Sequence, residues 1–185
     1  MTFRKINNLI EKLYEINGYE KDLIDYVLDV SRYQFQESKQ DRIIRKVDND
    51  KVVLKKYANI FLSEFKRIYE DEFIQIEVYA LNHFIAMNFI FLKEKPQDEI
   101  RIIPNNEISN EKQVFDAIAK SVSLYKIAKD LYIQKDIKGF EENSFYIIKP
   151  NEYKCWHRAM AWYDIAEIKE AIQSAELKRL KKQFC

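Results

Sequence analysis

Residues 153–158 read YKCWHR, so Tyr153, Lys154, Trp156, His157 and Arg158 set two large rings, two cations and an imidazole side by side, with Lys149 just upstream. Aromatic rings stack on unpaired bases while lysine and arginine hold phosphates. Rings and arginines on a surface also make hot spots for a protein partner. Lys149, Lys154, Trp156, His157 and Arg158 are therefore the candidate residues for binding nucleic acid or a partner. The competing reading packs Trp156 and Trp162 beneath the last helix.

Catalytic readings of the same stretch are less complete. An unperturbed histidine titrates near neutrality, so His157 could act as a general acid or base, but it needs a carboxylate to orient it. Asp164, about two helical turns further on, is badly placed for that. Cys155 has no activating base, because a residue two positions away points elsewhere on a strand or a helix. A metal-dependent nuclease needs clustered carboxylates and a lysine. Glu77 on an expected strand, with Glu70, Asp71 and Glu72 nearby, is the one arrangement that invites the idea, and no lysine follows at short spacing. Zinc would require Cys155, Cys185, His83 and His157 to converge from distant parts of the chain.

The chain has 185 residues, a net charge of +1 and only two glycines. Phosphate-cradling turns need glycine where the backbone approaches the ligand. Neither G-x-G-x-x-G nor G-x-x-x-x-G-K occurs, which argues against a nucleotide-binding enzyme. The near-neutral balance exerts no global pull on nucleic acid, so any such contact must be local. No segment approaches the roughly 20 apolar residues of a membrane span, and the N-terminus lacks a signal core, so a cytoplasmic protein is expected.

The elements that must position these residues follow from periodicity. Phe3, Ile6, Ile10 and Leu13 predict a helix over 2–15, stopped by Asn17-Gly18. A second helix from Tyr19 or Glu20 to about Arg32 gathers Leu23, Ile24, Val27 and Leu28 on one face, with acidic residues on the other. Residues 34–49 read as a polar linker anchored by Ile43, Ile44 and Val47. Leu54, Tyr57, Phe61, Phe65 and Ile68 form the stripe of a helix over 51–69, capped by Asp48 or Asp50. Residues 73–79 and 84–92 are strands joined across Leu81-Asn82-His83. Residues 93–110 read as irregular, and Val114 to Ala128 as a helix. Leu131–Ile137 and Phe145–Ile148 form a hairpin whose connection contains Gly139 and whose exit is Pro150. A helix over 160–182 ends the chain.

The expected architecture is α+β: a mostly antiparallel four-stranded sheet packed with helices, preceded by a helical hairpin. The expected organisation is a hairpin at 1–33, a linker at 34–49 and an α+β domain at 50–185.

Two segments carry a resemblance. Residues 6–28, INNLIEKLYEINGYEKDLIDYVL, resemble the helical pair near the C-terminal end of adenine-specific DNA methylases of restriction-modification systems. Residues 131–157, LYIQKDIKGFEENSFYIIKPNEYKCWH, resemble a tail segment of proteins from phage-defence loci. The glycine loop and the N-P-P-Y-type motif of a self-sufficient methylase are missing, and Lys149-Pro150-Asn151-Glu152-Tyr153 has the wrong order to replace the latter. The resemblance thus implies an accessory piece rather than a catalytic domain.

The expectation is a non-enzymatic binding subunit of a restriction-modification or phage-defence system, with no cofactor and no metal. It would dock to a larger methylase, helicase or nuclease subunit and contact DNA. The alternatives are a small metal-dependent nuclease or toxin, and a homo-oligomerisation module.

Overall fold

The computed structural model describes residues 9–69, 72–104, 136–140 and 143–183. Five strands, β1 (Phe73–Ala80), β2 (Phe84–Leu92), β3 (Ile100–Pro104), β4 (Ile137–Phe140) and β5 (Ser144–Pro150), form one mixed sheet in the order β3-β1-β2-β5-β4. β3 runs parallel to β1, and the other neighbours are antiparallel. The α+β class holds, with a fifth strand. β3 is the addition, a short edge strand inside the region read as irregular. Five residues closed by a proline fit the rim of a sheet, where a missing N–H costs little.

The longest amphipathic stripe becomes α4 (Lys51–Ile68), with Asp50 accepting from the Val53 amide at 3.1 Å as its N-cap. Leu54, Tyr57, Phe61 and Phe65 are buried as their spacing predicts, while Ile68 at the end is exposed. They pack on the sheet face that carries Ile76, Val78, Met87, Phe89, Phe145 and Ile147. Phe89 and Phe145 stack with centroids 4.5 Å apart, and Phe61 lies 4.5 Å from Phe89. Each aromatic pair adds about 0.5–1.5 kcal/mol beyond its burial.

The β4–β5 hairpin forms, but its first arm enters the described region only at 136, and residues 131–135 lie outside it. Gly139 belongs to the strand and not to the connection: it pairs with Tyr146, and an added Cβ there would meet the tyrosine ring at 2.2 Å. β5 ends at Pro150, as proline predicts. The expected helix over 114–128 lies outside the described residues.

The N-terminal layer departs most from expectation. Residues 9–13 are helical, Glu15 turns the chain with φ of 52°, and Asn17-Gly18 starts the next helix instead of stopping the last. Asn17 accepts from the Glu20 amide while Glu20 accepts from the Asn17 amide, each at 2.9 Å, which makes a capping box for α1 (Gly18–Tyr26). A π-helical turn, Val27–Ser31, leads into α2 (Arg32–Gln34). Across α1 and its π turn the apolar face points to solvent: Ile24, Val27 and Leu28 are exposed, while Asp22 and Val30 are buried.

The 34–49 stretch is built into the fold. It holds a 3-10 turn (Glu37–Lys39) and α3 (Asp41–Ile44), and buries Ile43 and Val47. After β5 come α5 (Tyr153–Trp156) and the long α6 (Arg158–Gln183), which packs on α4 and α1.

Candidate functional site

Lys138 of β4 lies opposite Ile147 in the register, on the same sheet face as Lys149 two residues further along β5. Both reach the first turns of α6, where Asp164 is buried and Glu167 follows one turn later. Lys149 is 1% exposed, yet its three donors are all engaged: Asp164 Oδ2 in a salt bridge, the Cys155 carbonyl at 3.4 Å and the Tyr57 hydroxyl at 3.5 Å. Tyr57 in turn donates to Asp164 Oδ2 at 2.6 Å. The Lys149 ammonium also lies 5.2 Å from the Tyr57 ring centre and 5.6 Å from that of Trp156.

Lys138 bridges Asp136 at 2.6 Å, Asp164 Oδ1 at 3.1 Å and Glu167. Two ammonium groups therefore hold three carboxylates together. Burial pulls the Lys149 ammonium below the ordinary lysine range, against the opposing pull of Asp164. Burial also works against the charge of Lys138, but hydrogen bonds to Asp136 and Glu167 and the field of Asp164 raise it. Burial, with Asp164 alongside, pushes the Tyr57 phenol far above its usual value.

Asp136, Asp164 and Glu167 each offer an oxygen within 4.8 Å of the others, a spacing that could hold a cation. Here the lysine ammonium groups supply the positive charge. Glu77, the carboxylate singled out from sequence, is not among them. It accepts from the Tyr79 hydroxyl at 2.7 Å and lies 3.9 Å from Arg101.

Next to this cluster, Asn151 is a four-way clamp. Its Oδ1 accepts from the amides of Val47 at 2.7 Å and Asp48 at 3.1 Å, and its Nδ2 donates to the carbonyls of Leu81 at 3.0 Å and Asn82 at 3.3 Å. The Trp156 indole donates to the Pro150 carbonyl at 2.9 Å.

The five residues expected to bind nucleic acid or a partner do not share a surface. Lys149 and Trp156 are sealed in the core and cannot hold a phosphate or stack on a base as they stand. Trp156 meets Tyr57 edge to face, 5.0 Å between centroids, beneath the helices as the competing reading supposed. His157 is buried between Tyr26 and Tyr153, and its Nδ1 accepts from the Ala159 amide at 3.2 Å, so that nitrogen carries no proton. Burial holds His157 below its usual value, against the fields of Asp29, Asp22 and Asp25. Lys154 and Arg158 reach solvent, but Lys154 pairs with Glu152 at 2.7 Å and Arg158 with Asp22 at 3.3 Å. Dense chemistry in this stretch is explained by packing.

Comparison with family models, curated proteins and solved structures finds no match. What the chain defines by itself is an α+β protein with a closed ionic cluster at the sheet edge. Among the described residues no helix is long and apolar enough to cross a membrane.

Proposed function

We propose that this chain is a non-catalytic binding subunit of a bacterial restriction-modification or phage-defence system, docking to a larger methylase, helicase or nuclease subunit. The observation that carries the reading is the outward apolar side of the N-terminal layer. Ile24, Val27 and Leu28 face solvent on one side of α1 and its π turn, and Leu13 is 75% and Phe35 89% exposed close by in sequence. A capped helix that turns its apolar residues to water is a surface for a protein partner. The resemblance of residues 6–28 to the helical pair of adenine-specific methylases supports the kind of system.

The test is co-purification of the tagged chain with the products of neighbouring genes, comparing wild type with an Ile24→Ser, Val27→Ser, Leu28→Ser variant. Capture lost in the variant, with an unchanged circular dichroism spectrum, is the expected result. Equal capture by both removes the docking face. Light scattering on the isolated chain separates this reading from a homo-oligomerisation module.

A second reading, a small metal-dependent nuclease, is favoured by Asp136, Asp164 and Glu167 converging beside Lys138. It requires a divalent ion to displace the Lys138 ammonium. Magnesium- or manganese-dependent cleavage of plasmid DNA that disappears in Glu167→Gln supports it, and no cleavage with either ion ends it.

A further inference from the structure

A second group of cations spans the end of the N-terminal hairpin and the stretch that reads as linker, and it is arranged differently. Tyr33 is buried with Val30 and Ile43, in a small core of its own. Three cations from three short elements converge on its ring: the Arg32 guanidinium of α2 at 4.6 Å from the centroid, the Lys39 ammonium of the 3-10 turn at 5.7 Å and the Arg42 guanidinium of α3 at 5.4 Å. Arg32 donates to the Tyr33 hydroxyl, and Arg42 approaches the same oxygen at 3.5 Å. The hydrogen bond from Arg32, with the fields of both arginines, holds the phenol below its usual value.

Among the described residues none of the three cations meets a carboxylate within 4.0 Å, although ten other cationic side chains do. All three are exposed. Three like charges repel one another and are held together here by the ring face and the phenol oxygen. What they present outward is donors only: two guanidinium forks, an ammonium and the Tyr33 O–H, whose oxygen is already taken as acceptor. Such a set suits an oxyanion, and guanidinium forks match phosphate in particular.

We propose that Arg32, Lys39 and Arg42, gathered on Tyr33, form a binding site for a backbone phosphate of nucleic acid. The site goes beyond the proposed docking to a protein subunit and would supply the DNA contact expected from the sequence; the two fail separately, because the readout is binding by the isolated chain without a protein partner. Recognition through phosphates positions a duplex without reading its sequence, so affinity is the same for unrelated sequences.

The test is fluorescence anisotropy with a labelled duplex of about 20 base pairs and the matching single strand, from about 50 to 200 mM salt. Wild type is expected to bind both sequence-independently. Lys39→Gln with Arg42→Gln should weaken binding at least tenfold at low salt and reduce the slope of log affinity against log salt by about 2 for the duplex. Lys39→Gln with Arg32→Gln provides a second variant in case Arg42 is needed for α3. Lys55→Gln with Lys56→Gln removes equal charge from exposed positions of α4 and should change binding less than twofold. Absence of binding by wild type at the lowest salt overturns the proposal, as does an equal loss in the α4 control. Binding of pyrophosphate alone reassigns the site to small phosphates and also overturns it.

Discussion

Two clusters in this molecule use the same ingredients, lysines or arginines against a tyrosine, and differ in whether the charge is closed. Around Tyr57 one cation is buried and the other partly buried, and each ammonium of the pair has a carboxylate partner. Around Tyr33 the cations are exposed and no carboxylate meets them among the described residues. Burial decides the difference. A buried ammonium without a counter-ion is too costly to keep, whereas an exposed one is hydrated and can stay open to a ligand. The first cluster therefore belongs to folding and the second is free to belong to binding.

The comparison breaks most sharply at Asp164. Asp164→Ala leaves Lys149 charged and unpaired in the core, and should cost about 3–5 kcal/mol in denaturant unfolding. Pairing it with Lys149→Met should recover most of that loss, because the apolar replacement removes the stranded charge. A variant pair that recovers nothing would mean the cluster is more than a satisfied ion pair.

Asn151→Ala provides the uncharged counterpart. It strands the Val47 amide and the Leu81 carbonyl in a buried place, for an expected loss of about 2–4 kcal/mol. A smaller effect would show that water replaces the clamp.

His157 lies between the two extremes, buried but faced by aspartates. Its folded-state value is below the ordinary 6.5, so it contributes stability above pH 6.5 that is lost as pH falls through the folded value. Hydrogen exchange at α1 should therefore quicken on acidification relative to β1 and β2. His157→Asn, which keeps a cap acceptor and does not titrate, should flatten that dependence.

The smallest expected effect is at the open cluster. Lys39→Glu supplies the missing counter-ion at an exposed site, so stability should rise by no more than about 0.5 kcal/mol while DNA affinity falls. A gain in DNA affinity would contradict the phosphate assignment.

Where a signal is local, the sequence was sufficient. α4, β1 and β2 follow from strict periodicity, and the Asp50 cap from its residue type. Asn17-Gly18 carries a turn signal that serves equally to end a helix or begin one, and the Glu20 carboxylate decides for beginning. Which face of α1 turns inward depends on a distant residue: Trp162 donates to Asp22 at 3.0 Å and draws that carboxylate inside. β3 is not legible in the sequence, because a strand on a rim has little pattern to show.

The density of residues 149–158 is a real signal in the sequence, but its meaning depends on tertiary pairing. From sequence Asp164 suggests itself only as a partner for His157, and nothing in the spacing shows that β5 delivers Lys149 to it. The Tyr33 cluster was no more visible, since Arg32, Lys39 and Arg42 share no period.

Gly139 carries no charge, yet it governs where the charges go. With the Tyr146 ring occupying the place where its side chain would start, a larger residue there would press the two hairpin arms apart, and the arm being levered away is the one bearing Asp136 and Lys138. A single methyl group on the far side of the sheet could thus dismantle an electrostatic assembly that it never touches, and trimming the ring at position 146 would be the matching repair.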